Sequence, residues 1–155
     1  EANKFAEENG MEPIRISQIN YSLAHSSVET FGDNTLVCMD TKEFRWYKKH
    51  DFPVMAFSPQ AKGFFAKLAK GDAANNLPEG QYAGPANLAR LAKVKQLSEQ
   101  TGDTPAKITL GYLNSQPFFV SSVFAVTKLW QLDEDMEAQD LTYDPKTVAF
   151  LENMI

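Results

Sequence analysis

Three short apolar segments, each followed by a helical stretch, constrain the fold of this chain more than anything else in it. The clearest is Val54-Met55-Ala56-Phe57, set between Pro53 and Ser58-Pro59. An apolar run of that length reads as a fully buried strand. A second strand is expected where Ile14, Ile16 and Gln18 alternate with Arg15 and Ser17, and a third within 118–126. Helical sequence separates all three. Strands joined through helices need crossover connections and run parallel, so the expected class is α/β.

The helical stretches carry their own punctuation. Ala2, Phe5 and Ala6 share one face of a first helix, with Gly10 placed as its stop. Asp40 or Thr41 caps a helix that has Phe44 and Tyr47 on one face. Residues 62–71 read as a short amphipathic piece. The longest helix runs from Pro85 to its stop at Gly102, with Leu88, Leu91 and Val94 or Leu97 as its stripe. Thr104 caps the next helix and Pro117 ends it. Residues 130–138 and 144–154 close the chain as two helices, the last capped by Asp144. Residues 26–40 and 72–84 read as loops.

Length and composition bound the rest. A chain of 155 residues suffices for one domain with a sizeable core. It is 43% apolar and 23% charged, without an apolar run long enough to span a bilayer. A net charge of −5 gives no general attraction to nucleic acid or to an anionic membrane, so neither is expected as a partner. The single cysteine, Cys38, excludes an internal disulfide framework and fits a reducing, cytoplasmic location. The opening residues read as mid-helix with no initiator Met. A fragment, a processed chain, or a protein whose front part is missing is therefore expected.

Parallel α/β folds place their sites at the carboxyl ends of strands. Those ends are Gln18-Ile19-Asn20-Tyr21, Phe57-Ser58-Pro59-Gln60 and Ala125-Val126-Thr127-Lys128. Ser58 to Gly63 reads either as an ordinary strand-to-helix turn or as a phosphate contact built from a hydroxyl, backbone N–H groups and the Lys62 ammonium. Thr127 and Lys128 precede a helix, where they either cap it or meet an anion. Gln131, Glu134 and Asp135 recur behind them at helical spacing. His25 and His50 have no metal-type partner in sequence, and no metal is expected. The common glycine-rich nucleotide fingerprints and the GxSxG elbow are absent.

Taken together, the Ser-Gln-Ile strand, the Ala-Phe-Ser-Pro strand and the final Gln-Leu-Asp-Glu-Asp helix resemble the carboxyl-terminal half of an aldo/keto reductase. The resemblance extends over essentially the whole chain. It implies strands six to eight of a (β/α)8 TIM barrel, a single partial domain over 1–155 with its amino-terminal half absent. It also implies a nicotinamide cofactor, NADP or NAD with NADPH slightly favoured, and aldehyde or ketone substrates. Residue by residue, it implies that Gln18 bonds the nicotinamide carboxamide and that Phe57 stacks on the ring where the family commonly has Tyr. Ser58, with Gln60 and Lys62, would line the pyrophosphate. Ala125 to Lys128 would hold the adenosine phosphate, and Gln131, Glu134 and Asp135 would flank the adenine. Three positions depart from the pattern: Ala125 replaces Gly, Thr127 a basic residue and Asp135 an Asn. Lys128 stands one place on as a substitute cation.

The family's catalytic Asp, Tyr, Lys and His lie upstream of this chain, so no catalytic residue is assigned and the chain alone is expected to be inactive. Tyr21 lies near a strand end, but no Lys stands beside it in sequence. Three strands cannot close a barrel that needs about 250 residues. The open sheet is expected to pair with the missing amino-terminal half or with a second copy, leaving Ile16, Val54, Ala56, Phe119 and Ser121 without interior partners. The preferred reading is the cofactor-binding half of a reductase. The alternative is a non-catalytic half-barrel used for interaction or assembly.

Overall fold

The computed structural model describes residues 1–72 and 82–152. In chain order these form α1 (Ala2–Glu8), β1 (Ser17–Asn20), α2 (Val28–Phe31), α3 (Thr41–His50), β2 (Val54–Phe57), a short 3-10 turn at Ala61–Gly63 and α4 (Phe64–Ala69). There follow α5 (Pro85–Thr101), α6 (Pro105–Asn114), β3 (Val120–Val123), α7 (Leu129–Met136) and α8 (Pro145–Leu151). The three strands make one parallel sheet in the order β1-β2-β3. The loop expected over 72–84 and the end of the last helix lie largely outside the described residues.

Caps set the helix starts as the sequence implies. Asp40 accepts from the N–H groups of Lys42 and Glu43 at 2.7 and 2.8 Å, and Asp144 accepts from those of Lys146 and Thr147 at 2.8 and 2.9 Å. Thr104 accepts from the Lys107 N–H at 3.3 Å. Pro85 opens α5 and Gly102 closes it at φ 80°. One helix was not expected: α2 forms inside the stretch read as loop, although it is only four residues long.

Register fixes which face is buried. Ser17, Val54 and Val120 align across the sheet, as do Ile19, Ala56 and Ser122. Ile19, Val54 and Ala56 pack in one core with Phe64, Phe65, Val94 and Ile108. The opposite phase carries Gln18, Met55 and Ser121, with Phe57 and Val123 one step on. These side chains are half-buried or exposed. Two expectations change as a result. Val54 and Ala56 are 0% exposed against the helices, so they do not belong to an uncovered interior. Ile16 and Phe119 are exposed, the latter at 63%, and only they and Ser121 fit the uncovered set. β2 is thus buried on one face rather than both.

Smaller corrections follow the same logic. Ile14, Leu88 and Phe5 are exposed, and the α5 stripe is Leu91, Val94 and Leu97. The β1 edge is covered at its carboxyl end, because Asn20 N–H donates to Val37 O at 2.9 Å and Met39 N–H donates to Asn20 O at 2.8 Å. Asn87, buried in the first turn of α5, fixes the loop beyond β1. Its Oδ1 accepts from His25 N–H at 2.7 Å, and its Nδ2 donates to His25 O and Tyr82 O at 2.8 and 2.9 Å. Arg90, one turn along, donates to Leu23 O at 2.8 Å.

Gly111 lies in α6, where alanine would ordinarily raise helix stability. A Cβ there would stand 2.9 Å from both Leu141 Cγ and Tyr143 Cε2. Gly111→Ala is therefore expected to lower stability by about 1–3 kcal/mol through overpacking. Urea unfolding checks this, and an unchanged or raised midpoint would contradict it.

Candidate functional site

The turn after β2 is built from unusual backbone. Ser58, Ala61 and Lys62 have φ values of 53°, 48° and 55°, and Gly63 follows at 81°. The left-handed region disfavours residues with a Cβ, so the turn holds strain that the surrounding packing must offset. Pro59 and Ala61 are buried and anchor it. Its Ala61 and Gly63 N–H groups donate within the turn, to Ser58 O and Gln60 O, both at 2.9 Å. Those two backbone donors are already engaged, which narrows the expected phosphate contact to the Ser58 hydroxyl, the remaining backbone and Lys62.

The chain beyond β3 reaches α7 through Phe124, Ala125 and Val126. Gln131 folds back over the helix start, where its Oε1 accepts from Thr127 N–H, the Thr127 hydroxyl and Lys128 N–H at 3.1, 3.2 and 2.9 Å. A helix leaves its first N–H groups without internal partners, and the Gln131 amide supplies one from inside the helix. In these bonds Thr127 and Lys128 are donors and Gln131 is the acceptor, so the amide of Gln131 rather than either side chain closes the helix start.

Both strand ends open onto one cleft of about 800 Å³. It gathers Ser58, Gln60, Lys62, Ala125, Thr127, Gln131, Glu134 and Asp135 from the residues singled out by sequence. Lys128 does not line it. Gln18 and Phe57 do not line it either; both lie in the sheet phase opposite the core, with Phe57 directly before Ser58. Further lining residues, among them Phe65, Lys70, Val123 and Trp130, were not singled out. Phe65 and Val123 read as core and strand in sequence, and Lys70 and Trp130 lie at helix ends where only tertiary placement gives them a role.

Asp135 is a buried carboxyl in the cleft lining. It is 4% exposed, and Gln60 Nε2 donates to its Oδ1 at 2.6 Å. Burial pushes its carboxyl above the ordinary value, the Gln60 bond pulls it back, and the Glu134 charge pushes it up again. Tyr21 offers no proton to this site. It is 4% exposed in a ring cluster with Tyr112 and Phe118, and burial raises its hydroxyl far above the ordinary range. His50 stacks on Trp46 at 4.4 Å. Among the described residues no three His, Cys, Asp or Glu side chains are grouped to hold a metal ion. No described helix is long and apolar enough to cross a membrane.

A carboxyl whose folded pKa is raised binds its proton more tightly in the folded state. Its stabilising contribution is present at low pH and is lost as pH rises from the ordinary value of 3.8 through the folded value. Asp135→Asn keeps an oxygen to accept from Gln60 and removes that loss. The variant is expected to gain stability over the parent progressively as pH rises above the ordinary carboxyl value of 3.8, in urea unfolding. A difference that stays constant or reverses across this range would contradict the assignment.

Two comparisons bear on this arrangement. The sequence matches the Aldo/keto reductase family over residues 2–155. The fold is similar to the crystal structure of a thermostable aldo-keto reductase, Tm1743, in complex with the inhibitor epalrestat, with a TM-score of 0.61 and 14% identity. That similarity covers 98% of this chain and 44% of the other, so the chain spans under half the length of the solved protein. With the family match running along nearly its entire length, the chain belongs to the aldo/keto reductase family.

Proposed function

We propose that the chain is the cofactor-binding, carboxyl-terminal part of a (β/α)8 barrel in an NAD(P)H-dependent reductase of aldehydes or ketones. The groups that deliver a proton to the carbonyl oxygen come, in this reading, from outside these 155 residues. Residues 1–155 then form one partial domain, and its partner is the amino-terminal half or a second copy.

One observation carries the reading. The ends of β2 and β3 and the start of α7 converge on one cleft, and Phe57 ends β2 immediately before the lining residue Ser58. A dinucleotide needs an amide partner and a flat surface at one end and donors at the other, and the residues present fit that need. Gln18 would bond the carboxamide, and Phe57 would cover one face of the nicotinamide ring. Ser58, Gln60 and Lys62 would meet the pyrophosphate. Ala125 and Thr127 would stand at the adenosine phosphate, with Lys128 just outside the cleft lining, and Gln131, Glu134 and Asp135 at the adenine. When bound, the reduced nicotinamide supplies a hydride. The chain's own residues bind and orient it and narrow the access of water to its face.

A second reading, a non-catalytic half-barrel for interaction or assembly, has one observation in its favour. Gln60 and Asp135 are bonded to each other, and Gln131 is bonded to the start of α7, so these polar groups are satisfied without a ligand.

Titration separates the two. The chain is expected to bind NADPH or NADH with quenching of Trp130 fluorescence, because Trp130 lines the cleft. Neither nucleotide altering the fluorescence of a folded chain would leave the module reading in place. Phe57→Ala is expected to weaken binding about tenfold, and Phe57→Tyr to stay within about threefold, since the ring face and not the edge makes the contact. Carbonyl-dependent oxidation of NADPH is expected to be absent for the chain by itself. Turnover by a preparation free of other reductases would refute the placement of the acid outside it.

A further inference from the structure

Asn20 is the last residue of β1 and the register partner of Phe57. It shares a sheet phase with Gln18, which is exposed, yet Asn20 itself is only 1% exposed. A buried amide needs partners for both its oxygen and its nitrogen, and Asn20 finds them on two different segments. Its Oδ1 accepts from the Ser26 hydroxyl at 2.7 Å. Its Nδ2 donates to Phe57 O at 3.5 Å, where the Tyr21 N–H also donates at 3.4 Å. A carbonyl oxygen only accepts, so the nitrogen faces Phe57 and the oxygen is left to Ser26. Both partners of the amide are anchored in turn. The backbone of Asn20 is bonded to Val37 and Met39, and His25, beside Ser26, is bonded through its N–H and its C=O to Asn87 of α5.

The carbonyl that Asn20 reaches sits at the entrance to the strained turn. The Phe57–Ser58 peptide is planar, so the direction of its C=O sets ψ of Phe57 and φ of Ser58 together. That φ is 53°, in the left-handed region that a residue with a Cβ avoids. Both bonds to Phe57 O are long, so neither holds the peptide alone. Without the Asn20 bond, relaxation of Ser58 to negative φ rotates this peptide and re-aims the chain that follows, with Ser58, Gln60 and Lys62 on it. A buried amide that merely satisfied Ser26 would have no influence on that turn.

Resting on the cofactor-binding reading above, we propose that Asn20 is a positioning residue. With Ser26 it holds the Phe57–Ser58 peptide in the conformation that presents the turn from Ser58 to Lys62 to the pyrophosphate, and it acts through that turn without touching the cofactor.

The test uses the whole chain and calorimetry with two probes, NADPH and its fragment adenosine 2′,5′-bisphosphate. Asn20→Ala is expected to weaken NADPH about tenfold, the worth of one hydrogen bond, and the fragment by less than about threefold. Ser26→Ala weakens NADPH in the same direction by a smaller factor. Glycine takes a positive φ without strain, so in a Ser58→Gly background the loss caused by Asn20→Ala is expected to shrink to about twofold or less. Circular dichroism checks that each variant is folded, and Ser26→Ala in the same two backgrounds decides the matter if Asn20→Ala does not fold. The proposal is overturned if the loss is the same in both backgrounds, if both probes weaken by the same factor, or if the folded variants bind NADPH as the parent does. A parent chain that binds NADPH without dependence on Asn20 or Ser26 loses only this inference. A folded parent chain that binds neither NADPH nor NADH loses the cofactor reading as well.

Discussion

Everything in this molecule depends on one face of a three-stranded parallel sheet being buried by helices. Ile19, Val54 and Ala56 project into a core formed with Phe64, Phe65, Val94 and Ile108. Because side chains alternate along a strand, that burial commits Gln18, Met55, Phe57 and Ser121 to the other face. A slip of one residue would send Phe57 into the core and Ala56 outward. The position of the candidate site is therefore a consequence of core packing, decided before any polar group is considered.

The same sheet explains what the sequence made legible. Local chemistry was readable: the Asp40, Thr104 and Asp144 caps and the Pro85 start and Gly102 stop of α5 behave as their types require, while the apolar run of β2 forms its strand but is buried on one face only. The phase of burial was not readable around β1 and β3. Ile14 and Ile16 alternate convincingly, yet the strand begins only at Ser17 and its buried residues are Ile19 and Asn20. Alternation tells which residues share a face, not which face the helices cover. The α2 turn escaped because four residues carry no periodicity.

For the site, the sequence marked residues that lie at strand ends, and the structure gathers most of them in one cleft. It could not mark Lys70 or Trp130, whose significance arises from the approach of two helices distant in the chain. It also could not show that Gln60 and Gln131 already have partners, Asp135 in one case and the start of α7 in the other. A ligand that recruits either amide must replace a bond already made. Hydrogen bonds contribute only the difference between alternatives, so these two contacts select among ligands more than they tighten binding.

The bonds made by Asn87 have a kinetic side. Its amide joins both the N–H and the C=O of His25, 62 positions earlier in the chain, in the manner of a strand neighbour. The segment leaving β1 thus has its backbone completed by a residue that is synthesised later and must first be carried into place by α5. Closing so long a loop costs entropy that local contacts do not return. The backbone of His25 is thus completed only where α5 is docked, and protection of its amide from hydrogen exchange reports on that docking.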